Sequence, residues 1–214
     1  MEEGFMKNTV QRFGKFLSAM VMPNIGALIA FGFLAALFID TGWIPNKGFN
    51  SMVSPMLTYL IPILIASTGG KMIGGDRGRV VGAIAVIGAI LSNTDITMLM
   101  AAMVMGPLAG FCIKKFDDFM DGRMPAGFEM LINNFSAGII GMLLAMLGYV
   151  LIGPIMSAIL AVLSAGVNIL VQNGLLPLVS IFIEPAKVLF LNNAINHGIF
   201  TPLATEQAAE FGKS

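Results

Sequence analysis

Long apolar runs, separated by short charged segments, constrain the fold of this 214-residue chain more than any other feature of its sequence. A helix needs about 20 largely apolar residues to cross the roughly 30 Å of hydrocarbon in a bilayer. The stretches that approach this length are residues 17–39, 52–67, 80–91, 96–113, 131–152, 155–171 and 175–191. They predict an all-α fold, a polytopic transmembrane helical bundle with about six to seven membrane segments, some of them broken or re-entrant.

Composition excludes a soluble fold of this size. Only 11% of the residues are charged and 57% are hydrophobic, whereas soluble domains usually carry about 25% charged residues. The formal net charge is zero and the basic residues are dispersed, so no nucleic-acid partner is indicated. Cys112 is the only cysteine, which excludes an intrachain disulfide.

The distribution of lysine and arginine predicts the orientation, since cytoplasmic segments carry the excess of basic residues. The successive segments between the runs hold three, one, three, none and three of them. In order, they are Lys7, Arg12 and Lys15; Lys47; Lys71, Arg77 and Arg79; and Lys114, Lys115 and Arg123. The alternation predicts a cytoplasmic N-terminus and counts residues 80–91 as a crossing, although that run is too short to span without flanking residues. The first run is too long for a signal peptide and is expected to stay in the membrane.

Prolines and glycines within these runs each have two interpretations. Pro23, Pro62 and Pro107 each remove one helical hydrogen bond, which predicts either ordinary kinks or functional hinges. The glycine-rich segment 67–78 resembles a phosphate-binding loop in composition, but Lys71 is followed by methionine, so the spacing of that motif is absent. A tight cytoplasmic turn between two spans is the simpler interpretation.

Two further polar segments favour structural roles. Asp117, Asp118 and Asp121 invite a calcium-binding interpretation, but the full loop pattern is missing and a solvated cytoplasmic loop is predicted. Residues 128–136 place Glu129 and two adjacent asparagines at the mouth of a span. These groups are expected to cap or bridge helices, with ligand binding as the alternative.

The most informative segment is 180–198, where a carboxylate, an ammonium, three amides and the only imidazole fall within 14 residues. A charge at the bilayer centre costs at least about 2.5–3.5 kcal/mol, so such groups usually face a cavity or each other. Pro185 is expected to interrupt a helix there, as in the broken helices that line transporter sites. The candidate substrate-binding residues are Glu184, Asn192, Asn193, Asn196 and His197.

The chemistry of this segment suits a ligand with many hydroxyl groups. Amides and imidazole both donate and accept hydrogen bonds, as each hydroxyl requires. Asn193 and His197 are four residues apart, so they share a face if the stretch is helical. A structural alternative stays open, in which Glu184 pairs with Lys187 and the amides bridge helices. An ion channel is not favoured, because the sequence has no ring-forming acidic run.

Four runs resemble the membrane-embedded C component of the mannitol-specific permeases of the phosphoenolpyruvate-dependent phosphotransferase system. They are residues 21–26 (VMPNIG), 67–71 (STGGK), 127–139 (GFEMLINNFSAGI) and 184–198 (EPAKVLFLNNAINHG). The resemblance covers nearly the whole chain. It implies a homodimeric transporter of the bacterial inner membrane, which takes up mannitol and hands it to a cytoplasmic B domain for phosphorylation to mannitol 1-phosphate.

The same resemblance implies how the chain is divided. Residues 1–214 correspond to about the N-terminal two thirds of a C domain. Residues 1–16 are expected to be a cytoplasmic lead, 17–172 the transmembrane bundle and 173–214 the start of the substrate-site segment. The family's Gly-Ile-His-Glu motif is absent, as are the A and B domains, and neither Cys112 nor His197 matches a phosphoryl-carrying residue.

The expected partners are therefore mannitol or a related polyol, a separate phosphorylated B domain, a second copy of the chain and the lipid bilayer. No catalytic residue, cofactor or metal is expected, and whether the chain is an enzyme stays open. The alternative is a truncated, transport-inactive membrane scaffold of the same family. Mannitol binding by the reconstituted chain would exclude that alternative.

Overall fold

The computed structural model describes residues 2–125 and 127–172, with most side chains from residue 11 onward. Every regular element in these ranges is helical, which confirms the all-α prediction for this part of the chain. The α-helices are α1 Glu2–Val21, α2 Ile25–Phe38, α3 Lys47–Asn50, α4 Val53–Pro55, α5 Ile61–Ser92, α6 Leu99–Met120, α7 Glu129–Leu147 and α8 Gly153–Gln172. A 3₁₀ turn, Met22–Asn24, joins α1 to α2, and π turns, Met56–Leu60 and Gly148–Ile152, precede α5 and α8.

Four helical stretches within the described residues are long and apolar enough to cross a membrane. They are Gln11–Phe38, Lys47–Ser92, Leu99–Met120 and Glu129–Leu163. This agrees with the predicted helical membrane protein. The total of six to seven segments stays a prediction, because residues 175–191 lie outside the described part and three of the stretches are longer than one crossing requires.

α5 is a hairpin, because the chain turns at Gly75 with φ 63° and ψ −153°. Glycine adopts this backbone conformation readily, whereas residues with a Cβ are strained there. The turn separates a first arm, residues 61–74, from a second arm, residues 76–92. A turn within segment 67–78 is therefore confirmed, but it is confined to Gly75, and the rest of the segment is helical. Its cytoplasmic location stays a prediction. At about 1.5 Å per residue the second arm is about 25 Å long, which supports counting it as a crossing.

Small residues bring the two arms and α6 into backbone contact along one seam, called here the glycine seam. The facing pairs are Gly70–Gly78 and Ala66–Gly82 between the arms, and Ala66–Gly106 and Gly70–Gly110 between the first arm and α6. The pairs are spaced by four residues, so the arms run antiparallel and α6 runs parallel to the first arm. Such small-residue packing is what membrane helices use to approach closely.

α7 packs against the second arm of α5 in a parallel direction. Gly141 lies against Ile84, and one turn further along both helices Ala145 lies against Gly88. The first arm, the second arm, α6 and α7 therefore alternate in direction. This is the alternation that the distribution of basic residues predicted for this part of the chain.

The prolines alter the hydrogen-bond register of the helices more than they end them. Before Pro62, Ile61 donates its N–H to the carbonyl oxygen of Met56, five residues back. The same five-residue bond precedes Pro154. Since a proline ring clashes with the carbonyl four residues back, the extra residue of a π turn gives the ring room. Pro23 lies instead in the 3₁₀ turn, where α1 gives way to α2.

One predicted boundary is wrong. The sequence indicated two spans, residues 131–152 and 155–171, but α7, the π turn and α8 form one uninterrupted helical path. Gly153 keeps helical dihedrals, φ −59° and ψ −54°. Because the π turn accommodates the following proline, the Gly-Pro pair does not reverse the chain there.

The buried core lies between α5 and α6, and α1 closes it on one side. Met20 is fully buried beside Gly69 and Pro107. α1 begins at Glu2, so the described part of the charged lead is already helical. The outward face of α7 exposes large apolar side chains, among them Phe135, which is 63% exposed. An apolar exposed face of this kind suits contact with lipid.

Candidate functional site

The five residues predicted to bind substrate lie beyond the described part of the chain. They are Glu184, Asn192, Asn193, Asn196 and His197. Their role stays a prediction. The structure instead describes two polar clusters among the helices that precede them.

The first polar cluster is centred on Arg77, at the start of the second arm of α5. Its Nη1 donates to Oδ1 of Asp117 in α6, and the two side chains form an ion pair. Its Nη2 donates to the carbonyl oxygen of Asn133, at 2.8 Å, and to Oγ of Ser136, at 2.5 Å, both in α7. One guanidinium thus connects three helices at the end of the bundle where the α5 hairpin turns.

The location of Asp117 corrects the interpretation of the acidic segment. Asp117 and Asp118 lie in the last turn of α6, which ends at Met120, and not in a solvated loop. The Asp117 side chain is only 33% exposed because it faces Arg77. The loop itself begins at Asp121 and Gly122, whose φ of 69° favours glycine. Within the described residues, no group of three potential ligands could hold a metal ion.

A cavity of about 590 Å³ opens beside this cluster, between the second arm of α5 and α7. Its polar lining consists of Asp76, Arg77, Arg79, Asn133 and Asn134. Nε of Arg77 and Oδ1 of Asn133 are buried and have no hydrogen-bond partner among the described residues. Buried polar groups are normally paired, so these two atoms keep unused hydrogen-bonding capacity inside the cluster.

The amide segment 128–136 makes local contacts and one contact between helices. The Glu129 carboxylate accepts a hydrogen bond from the backbone N–H of Gly127, at 3.0 Å, at the start of α7. Asn133 bridges helices, but through its backbone carbonyl and not through its amide. Asn134 lines the polar cavity and is exposed. No side chain caps the first N–H groups of α7, and the predicted bridging by amide side chains is not observed among the described contacts. A ligand-binding role stays a proposal.

The second polar cluster joins the break between α1 and α2 to the first arm of α5. Nδ2 of Asn24 donates to Oγ1 of Thr68, at 2.9 Å, and to the carbonyl oxygens of Met20 and Leu64. Thr68 in turn donates to the Leu64 carbonyl, at 2.9 Å. The sequence contains an indication of this contact: an asparagine follows Pro23 inside an apolar run, where an amide without a hydrogen-bond partner costs free energy.

The contacts in both described clusters hold helices together. In the first cluster, Arg77 donates to the Asn133 carbonyl and to Ser136, and Ser136 donates to the Asn133 carbonyl.

Comparison with known proteins identifies a family that matches most of the chain. The model of the phosphotransferase system EIIC family matches residues 18–209. The mannitol-specific EIICBA component of the phosphotransferase system of Escherichia coli K12 is 59% identical over 209 residues, which are 98% of this chain and 33% of the relative. The mannitol-specific EIICB component of Bacillus subtilis 168 is 56% identical over 213 residues, which are 100% of this chain and 44% of the relative.

A third similar protein is the mannitol-specific EIICBA component of Vibrio cholerae, 61% identical over 208 residues, which are 97% of this chain and 32% of the relative. The chain thus spans between a third and a half of the length of these relatives. No solved structure matches it.

Proposed function

The chain belongs to the phosphotransferase system EIIC family, and on that premise we propose that it is the membrane part of a mannitol permease. In this function it binds mannitol and carries it across the bacterial inner membrane, and a separate phosphorylated B domain phosphorylates it. The observation that supports this proposal most is the 59% identity to a mannitol-specific component across 98% of the chain. The same similarity favours the permease over the transport-inactive scaffold.

The proposed mannitol contacts are Glu184, Asn192, Asn193, Asn196 and His197. A linear polyol presents a row of hydroxyl groups, each of which donates and accepts a hydrogen bond. Three amides and an imidazole match that row, and a carboxylate accepts two or more further hydrogen bonds. Keeping a carboxylate within an apolar stretch is costly unless a ligand, a cation or water solvates it.

In the proposed topology the N-terminus is cytoplasmic, and the protein is proposed to work as a homodimer. The orientation is supported by the ion pair of Arg77 with Asp117, because this pair joins the two basic segments that the charge pattern assigns to the cytoplasmic side. The homodimer is proposed from the family resemblance alone. At that end of the bundle, the α5 turn and the start of α7 would face the B domain. The phosphoryl group then comes from outside this chain.

The direct test of the proposed site is mannitol binding by purified variants. Asn193→Ala and His197→Ala are expected to weaken binding at least about tenfold each, since each leaves a substrate hydroxyl unpaired. Asn50→Ala is the matched control, because Asn50 lies in α3 outside the proposed site. Unchanged affinity in both site variants would contradict the assignment of the site, whereas the wild-type affinity tests the proposed substrate separately.

A further inference from the structure

A second cavity adjoins the polar cavity and differs from it in character. It is a groove of about 660 Å³ between the α5 hairpin and α7, called here the apolar groove. Its walls are mainly Val80, Ile84, Ile87, Met142 and Met146. Met142 and Met146 are 52% and 59% exposed, so the groove opens toward the outside of the bundle.

The polar cavity and the apolar groove meet, because both are lined by Arg79 and Val80. From Val80 to Ile87 the groove follows two turns of helix, which is about 10 Å along the axis. A molecule that fills both spaces has a polar end beside Arg79 and an apolar end along the helices. The junction between the polar and apolar parts of that molecule then lies beside Val80.

Arg79 determines which charge the polar end of such a molecule must carry. The neighbouring charges are compensated: Arg77 pairs with Asp117, and Lys71 lies 3.6 Å from Asp76. Arg79 is exposed and has no hydrogen-bond or ion-pair partner within residues 2–125 and 127–172. An anion at the mouth of the groove would therefore meet one uncompensated guanidinium, with the Asn134 amide close by.

We infer that the polar cavity and the apolar groove together bind one anionic phospholipid. The phosphate accepts hydrogen bonds from the Arg79 guanidinium, which suits the planar geometry of that group. One acyl chain follows the groove between the α5 hairpin and α7. A basic pocket between transmembrane helices, at the end that carries the basic loops, is the setting in which membrane proteins hold acidic lipids.

Charge complementarity favours a lipid over a second copy of the chain as the occupant. A second copy would have to place an anionic group at Arg79 and a continuous apolar strip along the groove. A phospholipid brings both in one molecule, and the membrane supplies it at high concentration. This site is independent of mannitol and of the residues proposed to bind it.

The test is lipid retention by the full-length protein in vesicles with equal amounts of phosphatidylglycerol and phosphatidylcholine of identical acyl chains. After mild extraction, native mass spectrometry counts the lipids that stay bound. The wild type is expected to retain about five times more of the anionic lipid, the factor that one basic residue at a membrane surface provides. Arg79→Gln should bring that ratio close to one, and Arg79→Lys should preserve most of it.

Arg123→Gln is the matched control, because Arg123 is an exposed arginine in the loop that follows α6. Its ratio should equal that of the wild type. Met142→Trp should fill the groove and reduce the retention of both lipids. The inference fails if Arg79→Gln and Arg123→Gln lower the ratio equally. It also fails if Met142→Trp leaves lipid retention unchanged but alters the mass of the oligomer, since a second copy would then occupy the groove.

Discussion

At the scale of single residues, Arg77 shows how a charge is accommodated beside apolar helices. Its side chain is 24% exposed, and its contacts come from Asp117, Asn133 and Ser136 on two other helices. These partners lie 40, 56 and 59 residues away along the chain. The sequence identified Arg77 as one of several basic residues, but the partners depend on the turn at Gly75 and could not be predicted from local pattern.

Replacing Asp117 by asparagine should destabilise the protein. The change removes the charge that compensates a partly buried guanidinium, which costs about 1–3 kcal/mol. The midpoint of thermal unfolding in detergent, Tm, is therefore expected to fall by several degrees. Scanning fluorimetry of the purified protein measures this shift.

Asp118→Asn is the matched control, because Asp118 is the neighbouring carboxylate and is exposed. Its Tm should stay close to that of the wild type. A double variant, Arg77→Ala with Asp117→Asn, should lose less than the sum of the two single changes. Equal shifts for Asp117→Asn and Asp118→Asn would show that the ion pair does not fasten α5 to α6.

At the scale of elements, the glycine seam determines how closely α5 and α6 pack. The apolar runs of the sequence predicted that helices occur here, and composition suggested close packing through small residues. The facing pairs themselves could not be predicted, because several glycines in each helix satisfy the same pattern. The helical path through Pro154 was also missed, since nothing in the local sequence distinguishes a π turn from the end of a helix.

Gly70→Ala should prevent the hairpin from closing normally. A Cβ at this position would lie 2.1 Å from the carbonyl oxygen of Gly78, so one backbone has to move. Overpacking of this kind costs about 1–3 kcal/mol or more. The expected result is a lower yield of monodisperse protein and a lower Tm, measured by size-exclusion chromatography and scanning fluorimetry.

Gly138→Ala tests whether the effect comes from the seam or from the loss of a glycine in general. Gly138 lies in α7, and a Cβ added there meets nothing within 4 Å. This variant should elute and unfold like the wild type. If Gly70→Ala behaves in the same way, the close contact between the two arms of α5 is not needed for folding.

At the scale of the whole molecule, the described helices alternate in direction in the way that the basic residues predicted. The absolute orientation stays a proposal, which rests on the rule that cytoplasmic segments carry the excess of basic residues. The substrate-side segment is predicted from its polar groups within an apolar stretch. Its geometry stays a prediction, because residues 173–214 lie outside the described part.

The orientation can be tested by cysteine labelling, since Cys112 is the only native cysteine. In a Cys112→Ser background, Thr94→Cys lies in the link between α5 and α6 and should react with an impermeant maleimide on intact cells. Asp118→Cys, near the end of α6, should react only after the cells are permeabilised. The opposite labelling pattern would place the N-terminus outside.

The measurement that tests the proposed function most directly is equilibrium binding of radiolabelled mannitol to the protein reconstituted in lipid vesicles. The permease proposal predicts saturable binding in the micromolar range, displaced by unlabelled mannitol and not by glucose. The same experiment is repeated with the remainder of the E. coli relative supplied as a second polypeptide. Absence of saturable mannitol binding in both preparations, with the protein folded and monodisperse, would contradict the proposal.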